Sequence, residues 1–197
     1  ADTIVTCGGA GPCRLGHYAN IQKSILAELG YDFNMLIIEP EAASVWQALR
    51  RLNARLGVKP VYFALRQAFN KLIALDSIQR QVFLARPREV IPGSVEKLSG
   101  EALAALSQAQ CKAEIAKAQQ NFCEKLQTIE LDFDREVVRV GIIGEIYVSL
   151  EPFANQDLAR ILGRLGAEVH QPQLLGDYVN AHILRSREAL RFTGIVQ

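Results

Sequence analysis

The stretch TIVTCGGAGPCRLGHYANIQKSILAELGYDFNMLIIEP, residues 3 to 40, changes its periodicity repeatedly, and that succession constrains the fold more than any other feature of the chain. Ile4 to Cys7 is a short apolar run of the kind found in buried parallel strands, and Gly8 to Pro12 reads as a loop. Pro12 suits the start of a helix, where its missing N–H is no loss. From about Cys13 to Leu29, the residues Leu15, Tyr18, Ile21, Ile25 and Leu29 recur every three or four positions and predict a helix with one apolar face. Gly30 is the expected stop, and DFNMLIIEP supplies a second strand ended by Pro40. Strand, helix and strand in that order make, most simply, a parallel pair with a right-handed crossover.

From Glu41 to about Ile129 the pattern is mainly helical, with helices predicted over Ala42–Leu56, Val61–Leu84 and Glu101–Leu126. RPREVIPGS, Arg86 to Ser94, interrupts them with two prolines and a glycine that no continuous helix tolerates. Strand–loop–helix order then returns. Val137 to Ile143 is a strand, Gly144 to Ala154 a loop, Asn155 the N-cap of a helix ending near Gly166, and Ala167 to His170 a strand. A last amphipathic helix spans Asp177 to Phe192. The whole predicts a single α/β domain over residues 1–197, Rossmann-like, with a mostly parallel sheet and a large helical insertion at about 41–130. The chain opens without Met and enters a strand pattern within two residues. This predicts a piece excised from a longer protein, with a site shared with the remainder of the parent chain.

A formal net charge of +1 gives no support to a nucleic-acid partner, which calls for a strongly basic face. Arg50-Arg51 and the arginines between Arg185 and Arg191 read as solvated helix faces. No apolar run approaches the roughly 18 residues of a membrane span, and no signal segment is evident. Four cysteines in 197 residues do not suggest a secreted disulfide scaffold, which points to a cytoplasmic location.

Cys7 and Cys13 flank the glycine-rich loop, and three chemistries compete for it. A glycine turn from strand to helix offers N–H groups to a phosphate, with Glu39 at the end of the second strand as a ribose acid. The dinucleotide fingerprint fails, however, because Arg14 stands where its third glycine belongs, and there is no Gly-Lys-Ser/Thr. A disulfide is sterically open to a five-residue glycine loop, but the thiol-exchange pattern is Cys-x-x-Cys. Metal or iron–sulfur ligation fits the electrostatics better, because a helix N-terminus favours the thiolate. Gly8, Gly9 and Gly11 would let backbone N–H groups approach cluster sulfurs. Two ligands are too few. Cys111 and Cys123 lie on one predicted helix, roughly 18 Å apart and about 120° around its axis, and read as buried small hydrophobes. A missing ligand is therefore expected from outside this chain.

TIVTCGGAGPCRLGHYANIQKSILAELGYDF resembles the Gly-Pro-Cys-Arg-(Phe/Leu)-Gly segment of proteins related to the 2-hydroxyacyl-CoA dehydratase component family, also described as CoA-substrate-specific enzyme activase-related proteins. RPREVIPG is similar to the Arg-Pro-x-Glu turn of that group, and GIIGEIYVSLEPFANQDLARILGRLGAEV to its Gly-Glu-Ile-Tyr segment. The resemblance implies an α/β domain that helps hold a [4Fe–4S] cluster with an incomplete cysteine set, fed with low-potential electrons by an ATP-dependent activase. In the dehydratases proper the electron passes to an acyl-CoA thioester. Carried over by residue, only Cys7 and Cys13 qualify as ligands. The activase's ATP site has no counterpart here, and the piece alone is expected to be inactive.

Glu145 and Tyr147, after a strand, are expected at the same sheet edge as the cysteines, as acid/base and hydrogen-bond donor or as ordinary loop packing. Arg14 reads as a partner for the cluster charge or a CoA phosphate, or as a solvated first-turn residue. His17, His170 and His182 have no metal-ligand spacing and read as structural. Two other functions stay open: a non-catalytic domain that docks a partner activase, and a nucleotide- or CoA-binding domain with an atypical loop.

Overall fold

The computed structural model describes residues 3–8, 14–39, 42–172 and 174–179. It divides into two compact units, Ala1–Tyr62 and Phe63–Gln197.

In the first unit, β1 (Thr3–Cys7) and β2 (Asn34–Ile38) flank α1 (Leu15–Glu28), and α2 (Ala42–Leu52) follows. The strands pair in parallel, as expected, from Thr3 opposite Asn34 to Cys7 opposite Ile38. Gly30 ends α1 with φ of 82°, a conformation that suits glycine. Its N–H donates to Ala27 O, and that of Tyr31 donates to Leu26 O, closing the last turn. The helix does not bury the stripe read from its sequence. Ala19 is buried and Leu26 half-buried, whereas Ile21, Ile25 and Leu29 are exposed. Among the side chains described on this helix only Ala19 is fully buried, and Tyr18, of the predicted stripe, is half-buried.

The second unit is built around α3 (Val58–Ala85), whose last three turns carry the buried residues Ala74, Ile78, Val82 and Phe83. Ala74, Ile78 and Val82 pack with α4 (Ser94–Gln108) and α5 (Lys112–Leu126) around Val95, Leu98, Ile115 and Phe122. Phe83, one position on, joins a second core with Val169 and Leu174. Consecutive residues on a helix point about 100° apart, so α3 forms a wall shared by two layers. That second layer contains β3 (Val138–Gly141) and β4 (Ala167–His170), paired in parallel, with α6 (Ile146–Leu150), α7 (Leu158–Arg164) and α8 (Leu175–Val179).

The mixed α/β class is as expected, but the extended Rossmann-like sheet is not formed. Among the described residues there are two separate two-stranded sheets, β1–β2 and β3–β4. The second pair packs on α3 through Phe83 and Val169. The single helix expected over Glu101–Leu126 is likewise broken. Ala109 and Cys111 are extended. The Glu114 carboxylate, in the first turn of α5, reaches back to accept the Gln110 N–H at 2.5 Å. Gln67 and Lys71, from α3, donate to the carbonyls of Ala109 and Ser107 at the end of α4. The loop expected over Gly144–Ala154 contains α6. The N-cap of α7 is Asp157 rather than Asn155, which lies in the preceding turn, where its side chain accepts the Leu158 N–H at 3.2 Å and donates to Val148 O and Ser149 O. Of the helix expected over Asp177–Phe192, the residues after Val179 lie outside the described residues. No described helix is long and apolar enough to cross a membrane.

The RPREVIPGS interruption is a buried joint. Arg86–Arg88 is a 3-10 turn, and Glu89 forms an isolated antiparallel bridge with Leu131. The buried Glu89 carboxylate reaches forward to the start of α4, accepting the N–H groups of Gly93 at 2.7 Å and Val95 at 2.9 Å and the Ser94 hydroxyl at 3.2 Å. Gly93, at the N-cap position, has no side chain to do this, so a residue four positions earlier caps the helix. Glu89→Ala is expected to cost about 3 kcal/mol in urea unfolding, through the loss of charge-assisted bonds and an uncapped helix. Glu89→Gln should recover part of that loss, and equal stability of Glu89→Ala and the parent would contradict the capping role.

Candidate functional site

Two sheet edges carry the residues singled out by sequence. At the first, β1 ends at Cys7, and the buried Gly8 donates its N–H to Ile38 O at 2.9 Å, extending the parallel pairing by one bond. A Cβ at Gly8 would meet the end of the Glu39 side chain, so the two residues lie in contact at this edge. Glu39, read above as a possible ribose acid, thus stands directly over the turn that follows Cys7. Its backbone N–H donates to Ser44 Oγ at 3.1 Å, which ties the end of β2 to α2. Gly9, Gly11, Pro12 and Cys13 lie outside the described residues. Arg14 is exposed in the turn before α1, and its carbonyl accepts the His17 N–H.

The arrangement brings a cysteine, a tight glycine and a carboxylate to the carboxyl edge of a parallel pair, where open α/β sheets hold ligands. The donor set is partial for a four-iron cluster. Among the described residues no three His, Cys, Asp or Glu side chains converge as a metal ion would need. Cys111 and Cys123 belong to the second unit. Cys111 is exposed at the N-cap of α5, which corrects its reading as a buried hydrophobe. Cys123 is half-buried against the helical core, with its sulfur at 3.6 Å from the Gln81 amide nitrogen.

Gly144, Glu145 and Tyr147 do not follow a strand of the cysteine sheet. They follow β3, which pairs with β4. Glu145 is the N-cap of α6, accepting the Val148 N–H at 3.0 Å, and Tyr147 is exposed. The carboxylate expected to handle protons is therefore engaged as a helix cap.

The same sheet holds a charge cluster that sequence reading passed over. Glu168 on β4 is buried and bonded to Arg88 at 2.5 Å, while the imidazole Nε2 of His170 lies 2.7 Å from its other oxygen. Arg139, opposite Glu168 in the register, is 3.8 Å away and largely exposed. Residues 168 and 170 share a face because strand side chains alternate, and that period-two pairing in AEVH was the available signal. Gly141, opposite His170, places no side chain beside the imidazole. His170, read as structural, does sit in a structural ion pair. The hydrogen bond from Arg88 holds the Glu168 carboxyl below its ordinary value of 4.5, against burial, which raises it; the His170 bond adds to the lowering. The cluster can hold charge at a sheet edge, and His170 is its exposed member.

No family model matches this chain, and neither does any curated protein or solved structure.

Since the folded Glu168 titrates lower than the unfolded one, its contribution is complete above the ordinary carboxylate range and is lost as pH falls through the folded value. Urea unfolding should therefore show stability dropping below about pH 4.5, and Glu168→Gln should flatten that part of the profile while lowering stability at pH 7. An unchanged profile in the variant would assign the acid loss to other carboxylates.

Proposed function

We propose that this chain is a cluster-binding piece of a 2-hydroxyacyl-CoA dehydratase-like or activase-associated low-potential reductase. In this reading Cys7 and Cys13 supply two thiolates to a [4Fe–4S] cluster. The remaining ligands come from the rest of a longer parent or from a partner. The reading is supported above all by the position of Cys7, the last residue of a parallel strand, with a buried glycine turn directly after it. That is the edge at which an α/β unit exposes backbone N–H groups and, past the loop, the positive end of a helix. A bound cluster would supply one-electron chemistry. This chain's own contribution would be thiolate ligation and charge balance from Arg14 beside a cluster of net negative charge, whereas the Gly8 N–H is already taken by Ile38 O. The electrons would come from an ATP-dependent activase, with an acyl-CoA as their eventual acceptor.

Glu39 sets a limit on this site. The Glu39 carboxylate against Gly8 adds negative charge to this edge, so a cluster bound here would be expected to have a low reduction potential.

A second reading, a non-catalytic domain that docks a partner activase, draws on the apolar side chains Ile21, Ile25, Leu29 and Tyr31, which are all exposed on or just after α1. The two readings separate in one experiment. Anaerobic reconstitution of the full-length parent with iron and sulfide should give bound iron and a broad absorption near ~400 nm, the charge-transfer region of thiolate-ligated clusters. Cys7→Ser and Cys13→Ser should each lower the iron content by at least about half. Iron content indifferent to both substitutions would remove the cluster reading, and a stable iron-free complex with an activase would favour docking.

A further inference from the structure

We propose that the second unit carries a binding site for a small amphipathic carboxylate, in a cleft between the end of α3 and the segment that leaves α5. The cleft has a volume of about 570 Å³, within the range of ~300–1,000 Å³ typical of small-molecule sites. Its shape follows from two periodicities meeting. Residues 80, 81, 84 and 85 lie along one face of α3 at helical spacing, so Leu84 and Ala85 line one wall. The chain from 129 to 133 bridges to Glu89 at Leu131, and Ile129, Leu131 and Phe133, at alternate positions, line the other. Leu126 closes the end near α5. Leu84 is 45% and Phe133 66% exposed, an open position for large apolar side chains that the rest of the unit's core does not cover.

Three polar side chains also line the cleft, Arg80, Gln81 and Gln127, of which Arg80 alone is charged. Arg80 lines it and is ion-paired with Asp177 at the start of α8. A guanidinium has five N–H donors in a fork suited to carboxylates, and a half-exposed Arg80 can take a second carboxylate beside the first. Arg88, outside the lining, lies over the ring of the cleft residue Phe133, 5.8 Å from its centroid, but its charge is matched by Glu168. The apolar walls therefore call for an alkyl or aromatic body, and Arg80 for one anionic head. The proposal uses none of the residues of the cysteine edge and does not depend on iron binding.

The test is isothermal titration of the full chain with octanoate and with 1-octanol, which share the tail and differ in the head. Octanoate should bind one per chain, about tenfold more tightly than the alcohol, the ratio expected for one charge-assisted pair. Arg80→Ala should bring octanoate down to the affinity of the alcohol. Asp177→Asn, which removes the competing carboxylate, should tighten octanoate severalfold and leave the alcohol unchanged. That gain is something a merely structural Arg80–Asp177 pair would not give. Leu84→Glu should abolish binding of both, and Phe133→Ala, at a more exposed position, should weaken both by about tenfold if Leu84→Glu fails to fold. The proposal is overturned if octanoate does not bind, if it binds no better than octanol, or if its affinity is indifferent to Arg80→Ala or to the cleft-wall variant that folds.

Discussion

The second unit depends on a four-residue turn that carries the buried charges of Arg86 and Glu89 and the half-buried Arg88. Arg86 pairs with Glu96 on α4 at 3.1 Å, Arg88 with Glu168 on β4, and Glu89 with the first N–H groups of α4, while the buried Pro87 keeps the turn short. Burial pushes the Arg86 guanidinium below its ordinary value, and the Glu96 and Glu89 carboxylates push it back up. Such pairs add little over a well-packed apolar alternative, but removing one partner strands the other in a dry site at a cost of several kcal/mol. Their effect is to fix one geometry. Helical layer and small sheet are both tied to the same turn, and Gly163 on α7 packs so close to the Arg86 stem that a methyl group there would strike its Cδ.

That joint has consequences for both candidate regions of the unit. By holding Arg88 toward Glu168, it sets the buried charge at the β3–β4 edge and leaves His170 exposed beside it. By pairing Glu89 with Leu131, it draws the chain after α5 into an extended course, and the alternation of Ile129, Leu131 and Phe133 gives the apolar cleft one of its walls. Elsewhere in the unit a second carboxylate is buried without a matching charge in direct contact: Asp76 accepts the Gly176 N–H at 2.8 Å, and desolvation raises its pKa. It joins α3 to α8 through a backbone bond, a different solution to the same problem of docking a short helix on a long one.

Much of the chain was legible residue by residue. The strand–helix–strand opening, the parallel pairing, the stop at Gly30 and the break at RPREVIPGS follow from patterns a few residues long. The failures share one character. The break between α4 and α5 depends partly on Gln67 and Lys71, some forty positions upstream. The face that α1 buries was misjudged because periodicity finds an apolar stripe without saying what lies opposite it. Glu145 stayed open between chemistry and loop packing because a glutamate after a strand looks the same whether it caps a helix or serves a substrate. At the cysteine edge, the end of β1 was readable, but the packing of Glu39 over Gly8 joins two strand ends separated by a helix.

By itself, then, the amino-acid sequence determined the local elements and the residues able to carry chemistry. Those depend on backbone preferences, on periods of two or 3.6 residues, and on caps within a turn's reach. Only the tertiary structure decided which charges would be buried together, which apolar faces would be covered, and where strands would stop adding to a sheet. Those outcomes turn on side-chain partners eighty or more positions apart, as with Arg88 and Glu168. Desolvation and Coulomb energies depend on distance in space, and nothing in the local pattern of either residue encodes that distance.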